Sequence, residues 1–166
     1  MTDIRQIWRA GRVRRWHMNP DMAHTEDYND GHQARVARLL IALFPSASFD
    51  LIKAALTHDD EELFCGDVSG PVKRDQPEAY AALESFGRIG ARAMWGGYMP
   101  HETLTERELS WLHFCDRLDA AKWVQHQQRG QLHVDGWPDA LKRLRMQAIE
   151  FGIHDMVFDQ YTGGLK

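Results

Sequence analysis

Apolar residues in this chain recur at helical spacing almost throughout, and strand-type alternation is nearly absent. The clearest case starts near Asn29. His32, Val36, Leu39, Leu40 and Leu43 fall at i, i+4, i+7, i+8 and i+11, one continuous face that Pro45 stops. A second begins at Thr105-Glu106-Arg107-Glu108, a capping-box pattern that predicts a long helix to about Gln127 with Leu109, Leu112, His113, Asp116, Ala120 and Trp123 inward. Further helices are predicted over Thr2 to about Gly11, with Ile4, Ile7 and Trp8 on one face, and over Phe49 to Phe64. Two more are predicted over Gln76 to Trp95 and from Pro138 to about Phe151. Gly66-Asp67 and Gly70-Pro71 read as a loop, and Gly87 and Gly90 as points of close helix packing. The expected fold is all-α.

With 166 residues, 43 % apolar and 27 % charged, the chain fits one helical domain spanning 1–166. A net charge of −4 argues against a nucleic-acid polymer or an anionic membrane surface as partner. No stretch has the apolar length of a membrane span or a signal core, and two cysteines, Cys65 and Cys115, give no disulfide framework. Cytoplasm is the expected compartment.

The chemistry-bearing residues lie on the inward stripes. His32, the adjacent pair His58-Asp59, and Asp116 come from three predicted helices. Taken singly, each has an ordinary reading: a core or capping histidine, a polar helix end, a carboxylate paired with a buried arginine. Together they place two imidazoles and two carboxylates on apolar faces, where an unpaired charge is costly. That donor set suits one divalent ion, with Zn²⁺, Co²⁺, Mn²⁺ or Fe²⁺ favoured over Mg²⁺. Glu62, one turn past His58, is placed to handle a proton beside the ion. Asp60 and Glu61 read as solvated helix-end charges. Arg12, Arg14 and Arg15 before Trp16, and Lys73-Arg74 beyond the metal helix, form basic arms suited to phosphate. Trp16, in a polar loop, reads as a stacking surface for a base or sugar, or as core.

These residues carry a family resemblance. The set His32, His58-Asp59 and Asp116 resembles the HD superfamily of metal-dependent phosphohydrolases. The run from His58 to Lys73, HDDEELFCGDVSGPVK, resembles the HDxxE…GD…PVK segment of bacterial HD 5′-deoxynucleotidases, and Arg15-Trp16 resembles their upstream RW pair. The short chain is also similar to the compact phage dATP triphosphohydrolases. The match runs roughly from Arg15 to Trp123. The resemblance implies His32, His58, Asp59 and Asp116 as metal ligands, and Glu62 and Asp67 as catalytic or supporting carboxylates. It further implies Arg15 and Lys73 on phosphate, Trp16 on sugar or base, and Met18 against an adenine edge. The departures are the NDGHQ context of His32 and the acidic Asp60-Glu61 after the pair.

The implied activity is hydrolysis of a deoxynucleoside phosphate, first a dATP-preferring triphosphohydrolase, with a 5′-deoxynucleotidase as alternative. A non-catalytic nucleotide-sensing module and a helical scaffold with internal ion pairs are readings of other classes. By the same resemblance the chain is expected to form a homo-oligomer, a dimer or trimer of dimers. Trp95, Trp111 and Trp137 are candidates for either its interface or the core.

Overall fold

The computed structural model describes residues 1–159, all helices and turns with no strand among them. In order come α1 (Ile4–Ala10), α2 (Asn29–Leu43), α3 (Phe49–Ala55), α4 (Glu62–Cys65), α5 (Gly70–Asp75) and α6 (Pro77–Met94). They are followed by α7 (Glu106–Gln127), α8 (Trp137–Glu150) and α9 (His154–Phe158). The fold is all-α, as the periodicity requires. No helix among the described residues is long and apolar enough to cross a membrane.

Two helices with strong sequence signatures form the axis. In α2, Val36 and Leu40 are fully buried, and α7 faces them with Phe114, Cys115 and Leu118. The Thr105 hydroxyl accepts from Glu108 N while the Glu108 carboxylate accepts from Thr105 N at 3.0 Å, so the capping box forms. Helices α3, α8 and α9 close this core. At one end Trp111 stacks between Phe44 and Phe151, with centroids 4.8 and 4.1 Å away. Trp111 is therefore core, not interface. Truncating the wholly buried Phe114 to alanine would cost about 3–5 kcal/mol.

A smaller lobe joins α1, α4 and α6 around Ala10, Ala91, Met94 and Met99. Here the glycines of α6 do what their sequence positions suggest. A Cβ on Gly90 would stand 2.6 Å from the Phe64 ring, and one on Gly87 3.0 Å from Cys65 Sγ. α4 thus rests directly on the backbone of α6.

Several local expectations are corrected. In α1, Ala10 is buried and Ile7 half-buried, while Ile4 and Trp8 face solvent. The loop expected around Gly70-Pro71 contains α5, for which proline is suited at the first turn. Helix α8 starts at Trp137 with Pro138 in its first turn, and α9 follows it. On α7 the inner face is rotated: His113 is exposed and Asp119 is buried.

The largest correction concerns the stretch from Phe49 to Phe64, which is not one helix. α3 ends at Ala55, because side chains take the carbonyls the next turn would use. Thr57 Oγ1 donates to Lys53 O at 2.9 Å, and His58 Nδ1 donates to Ala55 O at 2.9 Å. Residues 57–64 then advance by tighter i to i+3 bonds, including Asp60 N to Thr57 O and Glu62 N to Asp59 O. Glu62 consequently opens the separate helix α4 and does not continue the His58 face.

Candidate metal centre

His32 enters from the first turn of α2 and Asp116 from the middle of α7; these two helices pack against each other. The tight turns after α3 deliver His58 and Asp59 between them. His32 Nε2 lies 3.2 Å from His58 Nε2, 3.1 Å from Asp116 Oδ1 and 3.4 Å from Asp59 Oδ2. His58 Nε2 lies 3.6 Å from Asp59 Oδ1 and 3.9 Å from Asp116 Oδ1. An ion holding ligands at about 2.1 Å separates neighbours by about 3.0 Å in octahedral and 3.4 Å in tetrahedral geometry. The three contacts of His32 fall in that span. His32, His58 and Asp59 each offer one atom within 4.8 Å of the others, and Asp116 joins through the two imidazoles.

The hydrogen bonds on the far side of each ring fix what faces the centre. His32 Nδ1 donates to Asp119 Oδ2 at 2.7 Å, and His58 Nδ1 donates to a carbonyl, which can only accept. In its neutral form, as a metal ligand must be, each ring turns an Nε2 lone pair toward the same point, beside two carboxylates. With Arg15 offsetting only one of the two carboxylates, the cluster favours a further cation, either a proton or a metal ion. With a proton there, burial works against charging His58, yet Asp59 and Asp116 outweigh it and push its pKa up to about 9. Burial also opposes ionisation of Asp116, but its contacts with His32 and His58 hold it well below the usual carboxylate range. Two imidazole nitrogens and two carboxylates fit a borderline divalent ion.

Sequence reasoning missed the layer behind the candidate ligands. Asp119 also accepts from Arg35 Nε at 2.7 Å, and Arg35 reaches on to Asp27 at 2.8 Å. His32 and Arg35 are one turn apart on α2, as are Asp116 and Asp119 on α7. The signal was a second charged residue one turn beyond each ligand. Asp60, expected in solvent, is buried and accepts from Gln33 Nε2 at 3.1 Å and Trp95 Nε1 at 2.9 Å. Burial, opposed by those two donors, raises its pKa to about 6. Glu61 is also mostly covered, 3.9 Å from Arg88, and burial raises its pKa to about 7.

Glu62 is the remaining carboxyl. It is buried, and its Oε2 has no hydrogen-bond partner among the described residues. Burial first, then the negative charges of Asp59 and Asp67, lift its pKa well above the usual range against the pull of Arg15 and Lys73. Its protonated form is favoured accordingly.

The expected substrate contacts are distributed unevenly. Arg15 is buried and donates to Asp59 Oδ2 at 2.7 Å, with Asp27 3.5 Å away. Trp16 has a left-handed backbone, φ 64°. Its N–H donates to Asp67 Oδ2 at 2.6 Å, its Nε1–H to Asp27 at 3.2 Å, and its ring stacks on Trp137 at 6.4 Å. One oxygen of Asp67 is thereby committed to the Trp16 turn. Met18 is exposed in the same turn, and His17 packs over Gly66. Lys73 lies on the surface of α5 with Nζ 5.2 Å from the Tyr80 ring centre. Partial desolvation opposes its charge, but Tyr80, Glu62, Asp59 and Asp67 hold it protonated. Of the other arms, Arg14 donates to Ala23 O and Thr25 O, Arg12 lies over Tyr28, and Arg74 pairs with Asp75. Compared with protein-family models, curated proteins and solved structures, the chain matches none.

Proposed function

We propose that this chain is a divalent-metal-dependent phosphohydrolase acting on deoxynucleoside phosphates. The observation that carries the reading is the convergence of two Nε2 lone pairs and two carboxylates, with both far-side Nδ1 hydrogens already engaged. Such outer hydrogen bonds are what metal-ligating histidines use to fix ring orientation. A divalent ion, when bound by His32, His58, Asp59 and Asp116, supplies Lewis acidity at a phosphoryl oxygen and makes water a better nucleophile.

The chain's own groups do the rest. Water attacks the α-phosphorus and the P–O5′ bond breaks; Glu62, whose raised pKa favours the protonated form, gives its proton to the departing O5′ and regains one from the attacking water. Lys73 offers its ammonium to the phosphate, and Arg15 holds Asp59 in place. The bond from the Trp16 amide to Asp67 holds the turn that follows Arg15 in place.

Among substrates, the resemblance to phage enzymes favours dATP, cleaved to deoxyadenosine and tripolyphosphate. The second reading, a 5′-deoxynucleotidase, is favoured by the arginines. Arg12, Arg14, Arg15 and Arg74 are engaged with groups of the chain itself, which leaves less charge for β- and γ-phosphates.

The test is a product assay with Mn²⁺, Co²⁺, Zn²⁺ or Mg²⁺ added, on the four dNTPs, the four dNMPs and ATP. Tripolyphosphate from dATP establishes the first reading, and phosphate from dNMPs alone the second. No turnover with any metal and any of these substrates would sink the hydrolase.

A further inference from the structure

A ring of alternating charges closes behind the candidate metal centre. His32 Nδ1 donates to Asp119 Oδ2 at 2.7 Å, and Asp119 Oδ1 accepts from Arg35 Nε at 2.7 Å. Arg35 Nη2 donates to Asp27 Oδ1 at 2.8 Å, and Asp27 Oδ2 lies 3.5 Å from Arg15 Nε. Arg15 Nη1 donates to Asp59 Oδ2 at 2.7 Å, and that oxygen is 3.4 Å from His32 Nε2. Two candidate ligands, His32 and Asp59, are thus joined both across the centre and around its back.

Asp27 is the member that turns two separate ion pairs into a ring. It is 2 % exposed and lies on the short segment before α2. Arg15 N donates to Asp27 O at 2.9 Å and Asn29 N to Val13 O at 3.0 Å, which pins this segment alongside the stretch carrying Arg15. The Trp16 indole adds a third side-chain contact, donating to Asp27 Oδ2 at 3.2 Å. Arg35 is steadied in turn by Trp123, one turn past Asp119 on α7, with the guanidinium 4.6 Å from the ring centre. Buried ions of this kind add little stability beyond apolar packing of the same volume. What an alternating ring supplies is geometry, because a member that turns breaks a pair on each side.

We propose that Asp27 is a positioning residue for the metal centre, holding His32 and Asp59 in register through Arg35 and Arg15. It also shares out the charge of both arginines. Without its carboxylate, Arg35 closes on Asp119 and Arg15 on Asp59. His32 then loses part of the negative charge behind its ring, and Asp59 becomes a poorer donor. Both changes weaken metal binding, although Asp27 itself does not face the ion. The inference rests on the metal reading of the proposed function.

The test is calorimetric titration of the full chain with Zn²⁺, with Co²⁺ visible absorption reporting the geometry at the ion and circular dichroism the fold. Asp27→Asn is expected to weaken Zn²⁺ about 10-fold and to move the Co²⁺ bands of the folded, loaded protein. A residue that served stability alone would leave those bands where they are. Arg35→Lys keeps the charge but loses the fork that spans Asp119 and Asp27, and is also expected to cost about 10-fold. Either change opens the same ring, so the double variant should stay near 10-fold, whereas independent effects would multiply to about 100-fold. Should Asp27→Asn fail to fold, Arg35→Lys still decides, since it keeps every carboxylate of the ring. Native affinity and native bands in the folded variants, or effects that multiply, would overturn the inference alone. A native chain that binds neither ion would overturn the metal reading and this inference with it.

Discussion

The Nδ1 hydrogen of His32 is held by Asp119 at 2.7 Å, and the same carboxylate is gripped from behind by Arg35 at 2.7 Å. This fixes both the tautomer and the angle of the imidazole. Burial would raise the pKa of Asp119, but His32 and Arg35 overcome it, so the carboxylate stays charged. As a positioning residue Asp119 should set metal affinity. Asp119→Asn, which keeps the shape and removes the charge, is expected to weaken metal binding about 10- to 100-fold. Calorimetric titration with Zn²⁺ or Mn²⁺ checks this, and an unchanged affinity refutes it.

Asp59 pairs with buried Arg15 and, in the proposed function, also serves the metal. Asp59→Asn should therefore abolish metal retention and also destabilise the fold, by about 3–5 kcal/mol if the Arg15 charge stays buried. Asp59→Asn combined with Arg15→Met should recover much of the stability without recovering the metal. Chemical denaturation and metal analysis read the two effects separately.

Glu62→Gln keeps the size of the side chain and removes the transferable proton. The expected outcome is a kcat lower by about 10²- to 10⁴-fold with metal content intact. Single-turnover kinetics on the substrate identified by the product assay decides it, and native kcat would exclude Glu62 as the acid.

Glu61 gives a pH signature in metal-free protein. Its folded pKa, about 7, lies above the ordinary glutamate value of 4.5, so folded protein binds the proton more tightly than unfolded protein. The stability this provides is complete below pH 4.5 and is lost as pH rises through 7. Glu61→Gln removes the ionisation. It should match the native chain near pH 4.5 and exceed it at pH 8 by on the order of 1–3 kcal/mol. Equal stability of the two chains at both pH values would contradict the burial argument.

Gly90→Ala tests the contact beneath α4. The added methyl would meet the stiff ring of Phe64 at 2.6 Å, so the variant should lose about 1–3 kcal/mol although alanine is the better helix former. Thermal melts check the sign. A stabilised variant would mean that Phe64 can move aside.

What the sequence made legible follows from amphipathic spacing. α2 and α7 carry long periodic stripes and explicit stop or cap signals, so His32 and Asp116 could be placed facing one another before any coordinates. His58 and Asp59 were picked out as a pair but placed on the wrong backbone. The pattern of Leu51, Ile52, Ala55 and Leu56 continues naturally into a longer helix. What breaks it, Thr57 and His58 side chains bonding to carbonyls behind them, leaves no trace in hydrophobic periodicity. Asp119 and Asp60 were hidden for a related reason: a buried carboxylate is recognised by its donors, and Arg35, Gln33 and Trp95 are distant in sequence. The basic arms show the reverse failure. Clustered arginines read as a phosphate clamp until each finds a carbonyl, a ring or a carboxylate of its own.

The hydrogen bond from the Trp16 amide to Asp67 spans 51 positions of the chain. It ties the turn carrying Trp16 and Met18 to the segment that leaves α4. One proton thus reports whether front and back are joined. Its resonance, drawn downfield by a short bond to a carboxylate, is a built-in gauge of assembly that can be followed by NMR as metal, nucleotide or denaturant is added.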